Sequence, residues 1–216
     1  MRAYIIYLSY DDVHNPGYHP SGGGATENGE MAQGDVRTKM VKGAAGLLAT
    51  KGVEGTSFAE VLAATGTPRG SIYHHFPGGK SELVHAALDL VSTRALAVME
   101  AMRGRPGVEV VERFLSLWRQ LLDSSELTAG CGVLAVTVAG ADVDLLDHAG
   151  SIFRDWTDQL AGLLVAGGVG EVPAQRLAVL IIAATEGAVA LSRAERSRAP
   201  FDVVAEALVA MVSSSS

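Results

Sequence analysis

The sequence predicts an all-α chain with a small N-terminal helical unit built around a helix-turn-helix and a larger helical body behind it. Three observations carry this. From Asp35 onward, apolar residues recur three and four positions apart over nearly the whole chain, the period of a helix with one buried face. Capping residues and glycine stops cut that pattern into segments of helical length. Within Phe58–Lys80, FAEVLAATGTPRGSIYHHFPGGK, two short helical patterns flank a glycine-containing turn, the form of a helix-turn-helix.

Composition bounds the answer. With 48% apolar residues, the 216-residue chain can bury a sizeable core. The one cysteine, Cys131, excludes an intramolecular disulfide framework and fits a reducing cytoplasm. No run of about 18 uninterrupted apolar residues occurs, so no membrane span is expected. The start MRAYIIYLSYDD lacks the small-residue cleavage site of a secretion signal. Net charge is −7 but unevenly spread. Residues 35–82 carry six basic and four acidic groups, and form the one net-positive block. Neutralising phosphate is a local matter, so overall acidity does not exclude nucleic acid as a partner.

Residues 1–34 combine a β-like run, Tyr4–Tyr10, with a turn-rich tail, HNPGYHPSGGGATENGE, and are expected to be a disordered N-terminal extension. Translation from Met31 would omit most of it. Residues 35–82 form the expected helix-turn-helix domain. Its first helix starts at an Asp35 N-cap, with Met40, Ala44, Leu47 and Leu48 inward and Gly52 as its stop. Thr56 or Ser57 caps the second helix, and Glu60 completes a capping box with Ser57. In the third, Ile72 and Phe76 make an inward pair four residues apart. Arg69, Ser71, Tyr73, His74 and His75 remain on the other faces. Arginine can read guanine in the major groove, and serine, tyrosine and histidine can bind phosphate oxygens; the same residues also suit a solvated polar face. Adjacent His74 and His75 diverge on a helix and have no third ligand nearby, so no metal site is expected.

The stretch TSFAEVLAATGTPRGSIYHHFPGGKSELV resembles the DNA-binding signature of the tetracycline-repressor (TetR) family of bacterial regulators. The likeness covers about residues 36–95, with Val61-Leu62 a mild departure. The loop Pro77-Gly78-Gly79-Lys80 is one residue longer than in most members. That loop, the turn Pro68-Arg69-Gly70-Ser71 and the stretch Gly130-Cys131-Gly132-Val133 resemble the branch named after LmrA and YxaF. The resemblance implies DNA-facing roles for Thr56, Ser57, Thr67, Arg69, Gly70, Ser71, Tyr73, His74, His75 and Lys80. It also implies a double-stranded DNA operator as partner and dimerisation through the two C-terminal helices.

Residues 83–216 form the expected effector-binding and dimerisation domain. A long helix runs over Ser81–Arg103, followed by one over Val108–Ser124. Ala129–Ala141, AGCGVLAVTVAGA, is apolar and β-branched enough for a buried strand, but nothing else would pair with it, so a short helix over Val133–Ala139 is expected. Asp144–Gly167 is amphipathic. Leu177, Ile181, Ala184, Ala188 and Leu191 make a coiled-coil-like seam in the next helix, and Val204, Leu208 and Met211 repeat it in the last. Two such helices, near 174–196 and 201–213, suit either an intramolecular core or a four-helix dimer interface.

The function expected is a DNA-binding transcriptional regulator, a repressor released from its operator by a small apolar ligand. The expected ligand wall is Phe114, Trp118, Leu121, Val133, Val136, Phe153, Trp156 and Ile182, each also a good core residue. Glu186 and Arg119 are polar anchors or structural pairs. Alternatives are a DNA-binding dimer without an effector and a small helical enzyme. Against the enzyme, the chain has no phosphate loop, His-Glu-x-x-His, nucleophile elbow or Cys/His cluster. No cofactor or catalytic residue is expected.

Overall fold

The structure, a computed structural model, describes residues 27–140 and 142–215, with side chains from Asp35 onward. The β-like run at Tyr4–Tyr10 and most of the tail behind it lie outside the described residues. Among those described are nine α-helices and no strand: α1 Glu27–Lys51, α2 Phe58–Thr65, α3 Arg69–His75, α4 Gly79–Glu100, α5 Gly107–Ser124, α6 Gly132–Val138, α7 Val143–Ala166, α8 Glu171–Glu195 and α9 Ala199–Ser213.

α1 begins at Glu27 rather than at Asp35. Asp35 does not cap; its carboxylate accepts a hydrogen bond from Lys39 Nζ one turn later, at 2.6 Å, an i,i+4 pair typical of a helix interior. The capping box is half formed. Ser57 Oγ accepts from the Glu60 N–H at 3.2 Å, whereas the Glu60 carboxylate accepts from Lys51. α2 ends at Gly66, whose φ of +67° lets its N–H return to the Leu62 carbonyl. The turn is further held by Thr65, whose hydroxyl donates to the Val61 carbonyl at 2.7 Å. α3 follows directly, with Pro68 fixing the extended backbone before it. The next loop turns into α4 at Gly79, where φ is +79°.

α1 packs on α4, α2 and α6; α4 packs on α7, α7 on α8, α8 on α9, and α9 on α5. The apolar core is continuous across these contacts, from Met40 and Phe76 at one end to Phe201 and Val212 at the other. The ambiguous Ala129–Ala141 stretch is helical over Gly132–Val138, with the Cys131 sulfur accepting the Leu134 N–H at its start. It lies between α1 and α7, and its β-branched residues Val133 and Val136 are fully buried.

The C-terminal seam is split. Leu177, Ile181, Ala188 and Leu208 are buried against the chain's own core, while Leu191 and Met211 are exposed. The seam spacing is helical, but it mainly marks the intramolecular face. A second apolar face points outward, with Val179 and Leu191 on α8 and Val203 and Met211 on α9. α8 is long and apolar enough by composition to cross a membrane, yet its other face is committed to α7 and α9.

Phe76 is fully buried, with the Arg37 guanidinium 5.1 Å from its ring centre. Phe76→Ala should therefore cost about 3–5 kcal/mol of stability, measured by denaturant unfolding. A loss below about 1 kcal/mol would show that α3 is not anchored there.

Candidate nucleic-acid interface and buried cavity

Two side chains fix the orientation of α3. Ile72 and Phe76 are both fully buried, so the remaining faces of this seven-residue helix must point outward. Tyr73 is 68% exposed and leans edge-on against Phe58, ring centres 5.5 Å apart. Arg69, Gly70 and His74 are exposed, and Thr67, Ser71, His75 and Lys80 are partly so. The His74 and His75 rings lie 5.4 Å apart, and the described residues contain no cluster that could hold a metal.

Hydrogen bonding divides this surface further. Thr65 has already given its proton to Val61, so Thr67 donates to Thr65 across 2.7 Å. Ser71 donates to the Pro68 carbonyl at 2.7 Å. Arg69, Tyr73, His74, His75 and Lys80 keep donors that no other described residue uses. Arg69 and Lys80 also enter no ion pair among the described residues, unlike Lys39 and Lys51. Thr56 is the correction. It is fully buried and its hydroxyl donates to the Gly52 carbonyl, so only Ser57 of that pair reaches the surface. Gly70 has no internal reason to be glycine: its φ is ordinary and a Cβ there would meet nothing within 4 Å.

Behind this unit, four helices enclose a cavity of about 30 Å³. α4 contributes Ala95 and Met99, α5 contributes Phe114 and Trp118, α7 contributes Trp156, and α8 contributes Ile182, Thr185 and Glu186. Leu121, Val133 and Val136 are core residues away from its wall, and Phe153 stands behind Trp156, ring centres 5.7 Å apart. Arg119 is not at the cavity; its guanidinium donates to Asp202 at 3.0 Å, joining α5 to α9. Ala95, Met99 and Thr185 were missed. A polar pair, Thr185-Glu186, inside an otherwise apolar helix was the available signal.

The wall holds unmet polar groups. Trp156 Nε1, Thr185 Oγ1 and Glu186 Oε2 are buried without a hydrogen-bond partner. Burial pushes the Glu186 carboxyl up to about 7, against a smaller lowering by the neighbouring Cys131 thiol. Burial, and then the charge of Glu186, push the Cys131 thiol well above its ordinary value. That keeps it protonated and makes it a poor nucleophile.

A raised carboxyl pKa means that the folded state holds a proton the unfolded state releases, between about 4.5 and about 7. The associated stability is fully present below that window and lost as pH rises through about 7. Glu186→Gln, which stays neutral, should therefore gain on the order of 3 kcal/mol over wild type between pH 4.5 and pH 8. Denaturant midpoints measured across that range check this, and a pH-independent difference would contradict a neutral carboxyl.

Two family models match separate stretches of the chain. Residues 41–87 match the family model described as bacterial regulatory proteins, tetR family. Residues 107–207 match the C-terminal domain of the LmrA/YxaF-like transcriptional regulators. An HTH-type transcriptional regulator of Mycobacterium tuberculosis is 34% identical over 175 residues, covering 78% of this chain and 89% of the relative. The HTH-type transcriptional regulator YxaF of Bacillus subtilis is 28% identical over 185 residues, covering 84% of this chain and 97% of YxaF. Among solved structures, a regulatory TetR protein from Rhodobacter sphaeroides superposes with a TM-score of 0.73 at 18% identity, covering 82% of this chain and 98% of that one. These two family models, with a relative 34% identical over 78% of the chain, show that the protein belongs to the TetR family of transcriptional regulators and has an LmrA/YxaF-like C-terminal domain.

Proposed function

We propose that the protein is a cytoplasmic repressor whose homodimer holds a short pseudo-palindromic operator and releases it when a small, largely apolar effector enters the cavity. The observation that carries this is the outward face of α3, where Arg69, Tyr73, His74 and His75 keep uncommitted donors around a glycine with open space beside it. Residues 35–82 read DNA; residues 83–216 dimerise and receive the effector. Arg69 reads a base edge in the major groove, and Ser57, Tyr73 and Lys80 hold phosphates. Thr67, Ser71, His74 and His75 flank them. The room beside Gly70 lets the DNA backbone approach closely.

One helix of seven residues makes too few contacts to select a site, so two must act together, on half-sites about a helical turn apart. The outward apolar faces of α8 and α9 supply that pairing. Val179, Ala183, Gly187 and Leu191 form an exposed stripe on α8, and Val203, Ala207 and Met211 form one on α9. Gly187 sits mid-helix with nothing within 4 Å of where its Cβ would be, at a cost of about 1 kcal/mol relative to alanine. A second helix crossing there would use the space.

Release works through α4. This 22-residue helix is roughly 33 Å long by its rise per residue. Lys80 is in its first turn, and Ala95 and Met99 line the cavity near its other end. An effector that enlarges the cavity shifts α4 and so the spacing of the two recognition helices. It must prefer the released state by several kcal/mol to empty the operator.

The test is fluorescence anisotropy with the DNA upstream of the protein's own gene. Binding should be saturable and salt-dependent. Arg69→Ala should relax preference at one base pair per half-site and cost about 1–3 kcal/mol, while Tyr73→Ala and Lys80→Ala weaken all sequences and flatten the salt slope. Gly70→Ala should fold at least as stably as wild type yet bind DNA more weakly. Unchanged affinity in all four variants would overturn the assignment.

Light scattering tests the dimer separately. Gly187→Glu should give a folded monomer with its helical circular dichroism intact and its operator affinity lost. A dimer that survives this change would place the interface elsewhere.

A further inference from the structure

We infer that the buried cavity is built for a lipophilic ammonium ion, with Glu186 as its counter-ion and the rings of Phe114, Trp118 and Trp156 as its cage. This rests on the reading of the C-terminal domain as an effector domain.

The chemistry of the wall points one way. Glu186 is 7% exposed and its Oε2 has no partner. A buried carboxylate without a cation is among the costliest groups a core can hold, which is why Glu186 keeps its proton up to about 7 when nothing positive is bound beside it. No lysine, arginine or histidine lines the cavity, and Arg119 is occupied by Asp202. The nearby Cys131 thiol is at most a weak donor and brings no charge. α8 offers a contrast within one helix. Ser192 is fully buried, but its hydroxyl accepts the Phe201 N–H at 3.1 Å and so joins α8 to α9. Glu186 has no comparable structural duty.

Three aromatic rings on the same wall fit a cation, since each ring face attracts positive charge within about 6 Å. Ammonium ions are recognised by such cages, and a carboxylate beside the rings adds the opposite charge. An anionic ligand would meet Glu186 with nothing basic to offset it. The other two unmet groups refine the class. Trp156 Nε1–H donates only, and Thr185 Oγ1 can donate or accept, so an oxygen acceptor near the amine would satisfy both. A cavity of about 30 Å³ is far below the roughly 300–1,000 Å³ of drug-sized sites. The ligand must open it, and unbranched Met99 is the wall residue best able to yield.

The test is calorimetry on the full-length protein at pH 8 with three matched probes: 4-phenylbutylamine, 4-phenylbutan-1-ol and 4-phenylbutanoate. The amine should bind at least about tenfold more tightly than the alcohol, and the acid should not saturate. Glu186→Gln should weaken the amine at least about tenfold while changing the alcohol less than about threefold. An alcohol as tight as the amine, or an amine preference that survives Glu186→Gln, overturns the inference. The wild-type series stands even if that variant fails to fold. A neutral dye, N-phenyl-1-naphthylamine, separates the two levels. Dye displaced equally by all three probes overturns the cation preference and leaves an effector pocket. No binding of dye or probes overturns both.

Discussion

A helix of seven residues has no stability of its own in water, because nucleation costs more than so few hydrogen bonds return. α3 exists because Ile72 and Phe76 are buried by the helices around them. That one constraint explains much of the N-terminal unit. α1 must be long enough to floor the pocket, with Met40 and Ala44 fully buried, and Arg37 must close over the Phe76 ring. The turn before α3 must be stiff, which Gly66, Pro68 and the Thr65–Thr67 hydrogen bond provide. Once these hold the inner face, the outer one carries little structural duty. Arg69, Tyr73 and His74 are therefore free for a partner.

The same packing ties this unit to the rest of the chain by two routes. α4 is one. The other is the segment before α6, where the Gly130 N–H donates to the Ala49 carbonyl of α1 at 2.8 Å. A Cβ on Gly132 would come within 3.3 Å of Leu48 Cβ, so the backbone approaches α1 closely there. Between these glycines lies Cys131, whose thiol pKa is pushed up by burial and then by the charge of the nearby Glu186 carboxyl. The cavity's ionisable group thus lies beside a segment that is hydrogen-bonded to the first helix of the DNA-binding unit. A ligand engaging Glu186, as proposed, would sit next to a segment fastened to α1. Contiguity of this kind provides physical contact between the sites, while coupling itself has to be measured as a change in affinity.

Much of this was legible in the chain. Helices from α2 to α9 lie close to their expected spans because glycine, proline and the caps punctuate a strong helical period. The errors have local causes. Asp35 has the chemistry of a cap and of an i,i+4 partner, and the sequence does not choose between them. Thr56 and Ser57 both looked available, but only the fold shows that Thr56 turns inward. A heptad-like seam reports an apolar face without saying whose surface covers it, so Ile181 and Ala188 proved to face their own core. Cavity walls are harder still. Phe114, Trp118, Trp156, Ile182 and Glu186 stood out as large or charged residues, whereas Ala95 and Met99 join them only because α4 crosses there.

What separates function from packing in this molecule is a set of residues the isolated fold does not account for. Gly70 and Gly187 each give up helix propensity where a side chain would meet nothing. Trp156, Thr185 and Glu186 each leave a buried polar atom unmatched, at about 1–3 kcal/mol apiece. Against a total stability of about 5–15 kcal/mol, such costs are large for a core otherwise filled with Leu, Val and Ile. Apolar substitutes of similar size at 185 and 186 would remove them. The two glycines lie on surfaces, and the three polar atoms line one cavity. Each group is where a proposed second body would sit: DNA against α3, another helix against α8, and a charged ligand among the rings.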